Sequence, residues 1–573
     1  MIGECLVPGA VSGEVLFAAV GLSFMGGVNS ETGKVIDPHH PLYGQSLRGK
    51  ILVIPSGRGS CAGSLAILEL LMNGHAPKAL VFQHKETILT LGVIIAKELF
   101  QRGIPIVRLS PEDFASLAAA RHAIVKDGSV ELFDTQPPPI MAERELPALD
   151  LEGFELTEED GRFLAGAHGE AGKIAMRIII RTARLEGASS LIDVDMAHID
   201  GCFYHGPGGV LFAKKLLELG GSVRVPSSMN ALCVDRRRWK ELGVDAKLGL
   251  PSDELAETYV AMGVTPTYTC APYLLDGAPL FGQQIAWAES NAVVFANSVL
   301  GARTMKYPDY LDILVAITGR APNADCHIGG KRFATLSIAV PRPHEPDDSY
   351  WPVLGYCIGK IAPNDIPVIV GLEGLMLSHD DLKAFGAAFA TTSAAAMFHI
   401  VGITPEALSI EQATGGSSSV RHHIVTIDEL RETWHELNSA GTSDVDLVSL
   451  GNPHFSLTEC ERLSRLCAGR KKADGVTLIV TCGRDIFEKA EAAGYVKTIS
   501  DFGGRFMNDT CWCLIGEPIV AREVRNIITN SGKYAHYGRA AVSKGFHFGS
   551  LGRCVDAACD GCVETTLPSW LSR

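Results

Sequence analysis

The chain has 573 residues, of which 46% are hydrophobic and 20% charged, so it can bury large cores and exceeds the usual size of one domain. Its formal net charge of -14 is spread along the chain without an acidic or basic block, which argues against nucleic-acid and membrane-surface partners and favours a small-molecule partner. The fifteen cysteines are an odd number scattered through a long chain, which predicts buried, reactive or metal-bound thiols rather than a disulfide framework.

Residues 1–27 are interrupted by Pro8 and several glycines, and they lack the basic segment that begins a signal peptide. They therefore predict neither a cleaved leader nor a membrane-spanning helix. We expect a cytoplasmic protein.

Residues 1–135 alternate short apolar runs, typical of strands, with amphipathic runs typical of helices. The expected strands are 51–54, 79–82 and 104–107, and the expected helices lie near 64–73, 88–102 and 111–121. This pattern predicts a compact α/β unit.

A glycine-serine turn, PSGRGSCAGS over residues 55–64, separates an expected strand from an expected helix. Its glycines let the backbone approach a ligand, and the helix start turns free N–H groups toward a bound group. Such a turn suits an anionic substrate or a developing alkoxide, although Ser60 or Ser64 can equally serve only to cap the helix. The residues that define a Walker A loop or a nucleophile elbow are absent from the turn.

Residues 136–150 carry four prolines and predict a stiff, extended linker. Beyond it, Thr157 and the acidic residues after it predict a helix cap, and a helical pattern continues to about Glu186. Residues 151–573 then alternate apolar strands with helices, which predicts a larger α/β part. Its strands are expected at 189–195, 222–225, 367–370, 446–450 and 476–480.

Several loops of the larger part collect polar and sulfur side chains where expected strands end. His198 lies in one of them and suits an acid-base group, although a histidine after a strand is commonly structural. Other loops place cysteines and histidines in turns rich in glycine and proline. A free thiol has no packing reason to lie there, whereas a metal ligand does.

The motifs of the chain, taken together, resemble the aconitase X family, a distinct branch of the aconitase superfamily. The resemblance covers nearly the whole chain and is carried by GRGSCAGS, GEAGKIAMRIIIRTAR, PSSMNA, TCAPYL, AWAESNAVVFANSVLGAR, GNPHFS, NDTC and GKYAHYGRA. It implies an α/β fold with a small swivelling domain at 1–135, a linker at 136–150 and a large multi-layer α/β catalytic part at 151–573. The family's active site lies in the cleft between the two parts. The fused order, swivelling domain first, is similar to bacterial members, whereas archaeal relatives keep the parts on two chains.

The resemblance implies a dehydratase that uses an iron-sulfur cluster and a serine base on the swivelling domain. Ser60 matches that base, and Ser64, one helical turn later, is the alternative. A serine acts as a base only where N–H dipoles or a cation hold its alkoxide, which the turn and Arg58 can supply. We expect His198 as a further catalytic group and substrate contacts from Arg58, Ser64, Asn230 and His327.

The resemblance also implies cysteine ligands for the cluster, which is either 2Fe-2S or 4Fe-4S. Cys270 and Cys511 match family cysteines, and we expect Cys326 to complete the set, with Cys233 in reserve. Asn452 stands where archaeal relatives look as if they carry a cysteine, so the ligand set is altered. An alternative set near the C-terminus has the spacing of plant-type ferredoxins and consists of Cys554, Cys559 and Cys562.

The family implies two substrates, cis-3-hydroxy-L-proline for fused members and mevalonate 5-phosphate for split ones. The fused layout and Asn452 favour hydroxyproline, whose dehydration gives pyrroline-2-carboxylate. The basic run 236–238 is a candidate phosphate site, although arginines in such a run are usually solvated. A non-catalytic iron-sulfur sensor is the alternative from another class of protein, and the serine turn disfavours it because a sensor needs no base. We expect a small hydroxy acid as partner, and no oligomeric state follows from the sequence.

Overall fold

The computed structural model describes residues 1–37, 40–58, 61–143, 145–417, 419–564 and 566–572. Strands and helices are numbered along the chain. The elements before residue 151 are β1 Glu4–Val7, β2 Gly9–Phe17, β3 Val28–Asn29, β4 Lys34–Val35, β5 Lys50–Val53, α1 Gly63–Met72, β6 Ala79–Phe82, α2 Ile88–Phe100, β7 Ile106–Arg108, α3 Pro111–Ser116, β8 His122–Lys126, β9 Ser129–Phe133 and β10 Met141–Glu143.

The elements after residue 150 alternate strands with longer helices. Up to residue 330 they are α4 Glu158–Leu164, α5 Gly169–Leu185, β11 Leu191–Asp193, β12 Met196–Ile199, α6 Pro207–Glu218, β13 Ser227–Met229, α7 Ala246–Ala261, β14 Ile285–Trp287, α8 Ser290–Phe295, α9 Leu311–Thr318 and β15 Arg320–Pro322.

Beyond residue 330 the same alternation continues to the end of the chain. These elements are β16 Leu336–Ala339, α10 Tyr350–Ile361, β17 Pro367–Val370, α11 His379–Thr392, β18 His399–Ile400, α12 Ile410–Thr414, β19 Arg421–Ile424, α13 Ile427–Leu437, β20 Leu447–Phe455, α14 Leu457–Cys467, β21 Thr477–Cys482, α15 Arg484–Ala492, α16 Tyr495–Phe502, β22 Gly504–Met507, β23 Asn526–Thr529, α17 Gly532–Val542, β24 Gly545–Phe548 and α18 Leu551–Asp560.

The chain folds into two compact units, each made of segments that are separate in sequence. Unit 1 consists of Met1–Ser227, Glu257–Val264 and Tyr307–Ala324. Unit 2 consists of Ser228–Ala256, Thr265–Lys306 and Asp325–Arg573. Both units mix helices with sheets, so the predicted α/β class is confirmed.

Unit 1 contains a mixed sheet with the strand order β1-β7-β6-β5-β2-β8-β9. Its parallel centre, β5 to β7, comes from the apolar runs expected at 51–54, 79–82 and 104–107, and it buries Val53, Val81 and Val107. The segment expected to be an extended linker supplies β10, which pairs antiparallel with β2. The sheet therefore continues into residues 136–150.

The helical pattern expected up to Glu186 is divided into α4 and α5. Thr157 caps α4 as expected, because its hydroxyl accepts from the backbone of Asp160 and the Asp160 carboxylate accepts from the backbone of Thr157. Gly166, which has a positive φ, turns the chain between the two helices, and Gly169, also with a positive φ, begins α5.

The strand expected at 222–225 is absent, since these described residues bond elsewhere. The backbone of Val223 donates to Met262 and that of Arg224 donates to Ala316. Strand β13 instead begins at Ser227, immediately after Pro226, which has no N–H for a sheet.

Unit 2 contains two parallel sheets, of strand order β18-β17-β16-β19 and β22-β21-β20-β23-β24. The apolar runs expected at 367–370, 446–450 and 476–480 correspond to β17, β20 and β21. Every residue of β20 is buried, as is typical of a central parallel strand with both faces covered. The end of β20 therefore leads directly into buried loops.

Within the described ranges, no helix is long and apolar enough to cross a bilayer.

A candidate cysteine-lined active site

Three cysteines come together in unit 2. Cys270 Sγ and Cys511 Sγ lie 3.7 Å apart, and both side chains are buried. Asn452 Nδ2 donates to Cys511 Sγ at 3.0 Å and to Cys513 Sγ at 3.2 Å. The backbone N–H of His454 donates to Cys270 Sγ at 3.3 Å. All three thiols are free of disulfide bonds. The sulfur–sulfur distance and the N–H hydrogen bonds place these sulfur atoms and their donors at one site.

The irregular stretch of β20 between Leu450 and Phe455 is held by contacts with neighbouring elements. Gly451 has a φ of +95°, and a Cβ there would lie 2.1 Å from the carbonyl oxygen of Thr481. Thr481 Oγ1 donates to Gly451 O at 2.6 Å, and Trp512 Nε1 donates to Leu450 O at 2.8 Å. Only glycine fits this position, so the stretch that carries Asn452 is fixed.

His454 links the loops of two of the cysteines. Its Nε2 donates to Thr510 O at 2.7 Å, and its Nδ1 accepts from Thr269 Oγ1 at 3.1 Å. Burial lowers the pKa of His454 from 6.5 to about 4, so the ring is neutral near neutral pH. Because Thr510 precedes Cys511 and Thr269 precedes Cys270, one imidazole positions both cysteines.

A buried ion pair lies beside the sulfurs. Lys533 Nζ donates to Glu289 Oε1 at 2.5 Å, and both side chains are almost entirely buried. The other Glu289 oxygen accepts from the backbone of Ala292 at 2.9 Å and from the side chain of Asn291. Asn291 Nδ2 also donates to Cys270 O at 3.0 Å. The ion pair is thereby connected to the Cys270 loop.

The same ion pair sets the electrostatics at the thiols. Burial by itself would lower the pKa of Lys533, but Glu289, Cys513 and Cys511 raise that pKa well above its usual value. The neighbouring thiol of Cys270 raises the pKa of Cys511 overall, and the Lys533 charge opposes the rise. The lysine therefore stays charged and favours the thiolate forms that a metal requires.

A cavity of about 20 Å³ lies beside Asn452 and Lys533. It has room for roughly one water molecule. A second buried ion cluster borders it, in which Lys383 pairs with Glu459 and Asp380 and donates to His454 O at 3.3 Å. Burial raises the pKa of Glu459 to about 7. The polar residues that line the cavity are Lys383, Asn452, Glu459, Asn530, Ser531 and Lys533.

Asn230 immediately precedes Ala231, which packs against two of the cysteines, and its contact with substrate stays a prediction. The buried Oδ1 of Asn230 accepts from the backbone of Ala231 at 2.7 Å. Ala231 in turn packs with Cys270 and Cys511.

His327 and Cys326 lie in a different environment. His327 Nδ1 lies 2.7 Å from Gln284 Oε1, and burial, with Arg332 and Arg303 nearby, lowers the pKa of His327 to about 3. Cys326 is buried, and its carbonyl accepts from Arg332 Nη1 at 2.9 Å.

In the part of the chain that the structure describes, the contacts of Cys326 include neither Cys270 nor Cys511, so its role as a cluster ligand is not supported. Its thiol lies near Asp325, Arg332 and Glu406, and burial raises its pKa. The third sulfur of the site is that of Cys513, which lies two residues beyond the NDTC motif and was not among the predicted ligands. The reserve candidate, Cys233, is half-buried in the loop after Asn230.

Of the residues expected at the serine turn, Ser60 lies outside the described residues. Arg58 is exposed, and its Nη2 donates to Asp37 Oδ2 at 2.9 Å. Ser64 is completely buried in the first turn of α1, and its hydroxyl donates to Asp309 O at 2.9 Å. Helix α1 follows Ala62 and has no side-chain cap, so Ser64 does not cap it. This burial does not support the substrate contact expected of Ser64.

His198 is completely buried in β12 of unit 1. Immediately after this strand, the backbones of Asp200 and Gly201 donate to Asp312 Oδ2 at 2.7 Å and 3.4 Å. Burial raises the pKa of Asp312 to about 6. These surroundings resemble a buried structural network, and the catalytic role of His198 stays a prediction.

The three cysteines near the C-terminus have three different surroundings. Cys554 is buried in the core of unit 2, Cys559 is half-buried beside Cys467 and Arg470, and Cys562 is exposed. Cys554 and Cys559 are five residues apart on α18, and a separation of five places side chains on different faces of a helix. The ferredoxin-like spacing does not bring these sulfurs together.

The donor set at this site suits an iron-sulfur cluster better than a single metal ion. Among the described residues, no group of three or more His, Cys, Asp or Glu side chains is arranged to hold a single metal ion. An iron-sulfur cluster has several irons, so its thiolate ligands need not converge on one point. Three adjacent sulfurs that accept N–H hydrogen bonds beside a buried cation fit such a cluster.

Models of four consecutive domains match the chain. They are the aconitase X swivel domain at residues 1–132 and the aconitase X first, second and third domains at 153–330, 334–435 and 445–560. The matches follow one another in order along the chain.

Two relatives match the whole length. A cis-3-hydroxy-L-proline dehydratase of Hypocrea jecorina is 51% identical over 579 residues, covering 100% of this chain and 97% of the relative. A cis-3-hydroxy-L-proline dehydratase of Pseudomonas aeruginosa is 49% identical over 573 residues, covering 100% of this chain and 98% of the relative. The solved holo-form of Thermococcus kodakaraensis aconitase X is 31% identical, with a TM-score of 0.63, and covers 71% of this chain and 100% of its own.

Proposed function

The chain belongs to the aconitase X family, and we propose that it is a hydro-lyase that dehydrates cis-3-hydroxy-L-proline to pyrroline-2-carboxylate. One observation carries the proposal, namely that two dehydratases named for this substrate are 51% and 49% identical to the full chain. The proposed partner is thus a small hydroxy acid, and a cytoplasmic location stays a prediction.

We further propose that Cys270, Cys511 and Cys513 hold an iron-sulfur cluster. Support comes from their proximity and from the N–H groups of Asn452 and His454 that donate to the sulfurs. When bound, the cluster would supply a Lewis acid for the leaving hydroxyl.

The reaction breaks the C2–H and C3–O bonds of the ring, forms a C2=C3 bond and releases water. The resulting enamine then tautomerises to pyrroline-2-carboxylate. We propose Ser60 as the base that takes the C2 proton. Its alternative, Ser64, has its hydroxyl buried against Asp309 O, which favours Ser60.

The stereochemistry of the substrate suits a base on one face of the ring. In the cis isomer the hydroxyl and carboxylate share a face, so the C2 hydrogen lies on the opposite face. A base that approaches from there gives an anti elimination. The trans isomer places the C2 hydrogen and the hydroxyl on the same face, where this base cannot reach the proton.

The contacts of the basic run 236–238 favour hydroxyproline over mevalonate 5-phosphate. A phosphate carries about two negative charges near neutral pH and normally takes several charged donors. In the basic run, Arg236 pairs with Asp253 at 3.1 Å and donates to the Tyr268 hydroxyl at 2.8 Å. Arg238 donates to Phe506 O at 3.2 Å. Two of the three guanidinium groups of the run thus have partners within the chain and the third residue, Arg237, is exposed, so the run does not form a buried phosphate site.

The direct test is anaerobic reconstitution of the protein with iron and sulfide, followed by assays on both substrates. We expect pyrroline-2-carboxylate from cis-3-hydroxy-L-proline, observed by NMR, and no turnover of mevalonate 5-phosphate. Preferential turnover of mevalonate 5-phosphate would overturn the substrate assignment. A protein that carries the cluster and dehydrates neither compound would favour a sensor.

A further inference from the structure

We propose that Asn452 is a positioning residue that tunes the cluster by hydrogen-bonding two of its sulfur ligands at once. This inference rests on the cluster of the proposed function. An amide nitrogen carries two hydrogens, and Asn452 Nδ2 lies 3.0 Å from Cys511 Sγ and 3.2 Å from Cys513 Sγ. One side chain therefore supplies a donor to each sulfur.

The orientation of the Asn452 amide is determined by Ser531. The Ser531 hydroxyl accepts from the backbone of Tyr534 at 3.1 Å, at the start of α17, and donates to Asn452 Oδ1 at 3.2 Å. The oxygen end of the amide thus faces a donor, and the nitrogen end faces the sulfurs. This arrangement suits sulfurs that only accept hydrogen bonds, as thiolate ligands do.

The position of Asn452 is as constrained as its orientation. The residue is 6% exposed, so water competes little for its hydrogen bonds. The backbone before it is fixed by Gly451 with positive φ and by the bond from Thr481 to Gly451 O. The fold itself therefore holds the two donors in place.

N–H groups that donate to thiolate ligands stabilise the more negatively charged, reduced form of a cluster. They consequently raise its reduction potential, and their removal lowers it. Replacing the amide by the carboxylate of Asn452→Asp, which has a similar shape, removes both donors and adds a negative charge. We expect it to lower the potential further than Asn452→Ala does.

The experiment compares reconstituted wild type with Asn452→Ala, Asn452→Asp and a control, Asn526→Asp. Asn526 is a buried asparagine of the same unit whose amide donates to Thr442 and to Asp444 O rather than to a sulfur. Iron and sulfide content, visible and EPR spectra, and a redox titration are measured for each protein.

We expect negative shifts of potential in both Asn452 variants, larger in Asn452→Asp, and none in the control. Unchanged potentials in both Asn452 variants would overturn the inference, and so would an equal shift in Asn526→Asp. If both Asn452 variants lose the cluster, Ser531→Ala decides, because it keeps the amide and removes only the group that orients it. A smaller negative shift there supports the role of Asn452, and an unchanged potential contradicts it.

The measurement is separable from the proposed function. Wild-type protein that carries the cluster but dehydrates nothing would contradict the proposed function. The reduction potentials of the variants would still test the role of Asn452. Wild-type protein that takes up no iron would overturn both.

Discussion

His454 Nε2 lies 2.7 Å from the carbonyl oxygen of Thr510, so an imidazole at the end of β20 holds the residue that precedes Cys511. The same ring accepts from Thr269, which precedes Cys270. Two cysteines that are 241 positions apart in sequence thus share one anchor. The placement of the sulfurs depends on a neutral, buried histidine.

That dependence predicts a loss of stability in mild acid. Burial lowers the folded-state pKa of His454 from 6.5 to about 4, so the unfolded chain binds the proton more readily between these values. Stability contributed by the neutral ring is present above about pH 6.5 and falls as the pH drops toward 4, by up to about 3 kcal/mol. Thermal melting of metal-free wild type and His454→Gln at pH 7 and pH 5 measures the effect. A wild type that loses no more than the variant would contradict it.

Substitutions of Cys513 and Cys326 test which of the two is the third ligand of the cluster. Cys513→Ser should abolish the visible absorbance and the activity of the reconstituted protein, as should Cys270→Ser and Cys511→Ser, because thiolates are the expected ligands. Cys326→Ser should keep both, since the Cys326 thiol lies near Asp325, Arg332 and Glu406. Cys559→Ser and Cys562→Ser serve as controls. A colourless Cys326→Ser protein with a coloured Cys513→Ser protein would restore the ligand set inferred from the sequence.

Ser60→Ala should lower kcat by at least ~10², the usual effect of losing a positioned base, with iron content unchanged. The matched control is Ser64→Ala, which removes a buried hydrogen bond to Asp309 O and should cost about 1 kcal/mol of stability while kcat is kept. If Ser64→Ala loses activity and Ser60→Ala retains it, the base lies one helical turn later.

A double-mutant cycle on the metal-free protein should measure a coupling free energy between the buried side chains of Lys533 and Glu289. Lys533→Met or Glu289→Gln alone leaves a buried charge unpaired and should cost about 3–5 kcal/mol, whereas the double variant should recover part of the loss. The exposed pair Lys360 and Glu436 is the control and should contribute at most about 1 kcal/mol. Additive losses at the buried pair would refute the coupling.

The sequence predicted those features that depend on neighbouring residues. The apolar runs that became β5, β6, β17 and β21 were identifiable because buried parallel strands are continuously apolar. The cap at Thr157 was identifiable from the acidic residues that follow it. The resemblance to the aconitase X family, carried by motifs along the whole chain, is confirmed.

The features that the sequence did not give depend on contacts between distant residues. The run 222–225 has strand-forming residues, but its N–H groups bond to Met262 and Ala316. Cys513 stands two residues after Cys511, and only the contact of both with Asn452 identifies it as a member of the site. Lys533 lay inside a motif that was used only for the resemblance, and its partner Glu289 is distant in sequence.

The most direct test of the central claim compares cis- and trans-3-hydroxy-L-proline on one preparation of anaerobically reconstituted protein. We predict turnover of the cis isomer to pyrroline-2-carboxylate, a primary isotope effect from deuterium at C2 if that step limits the rate, and essentially no turnover of the trans isomer. Comparable rates on the two isomers would contradict the account, because a base confined to one face of the ring cannot serve both.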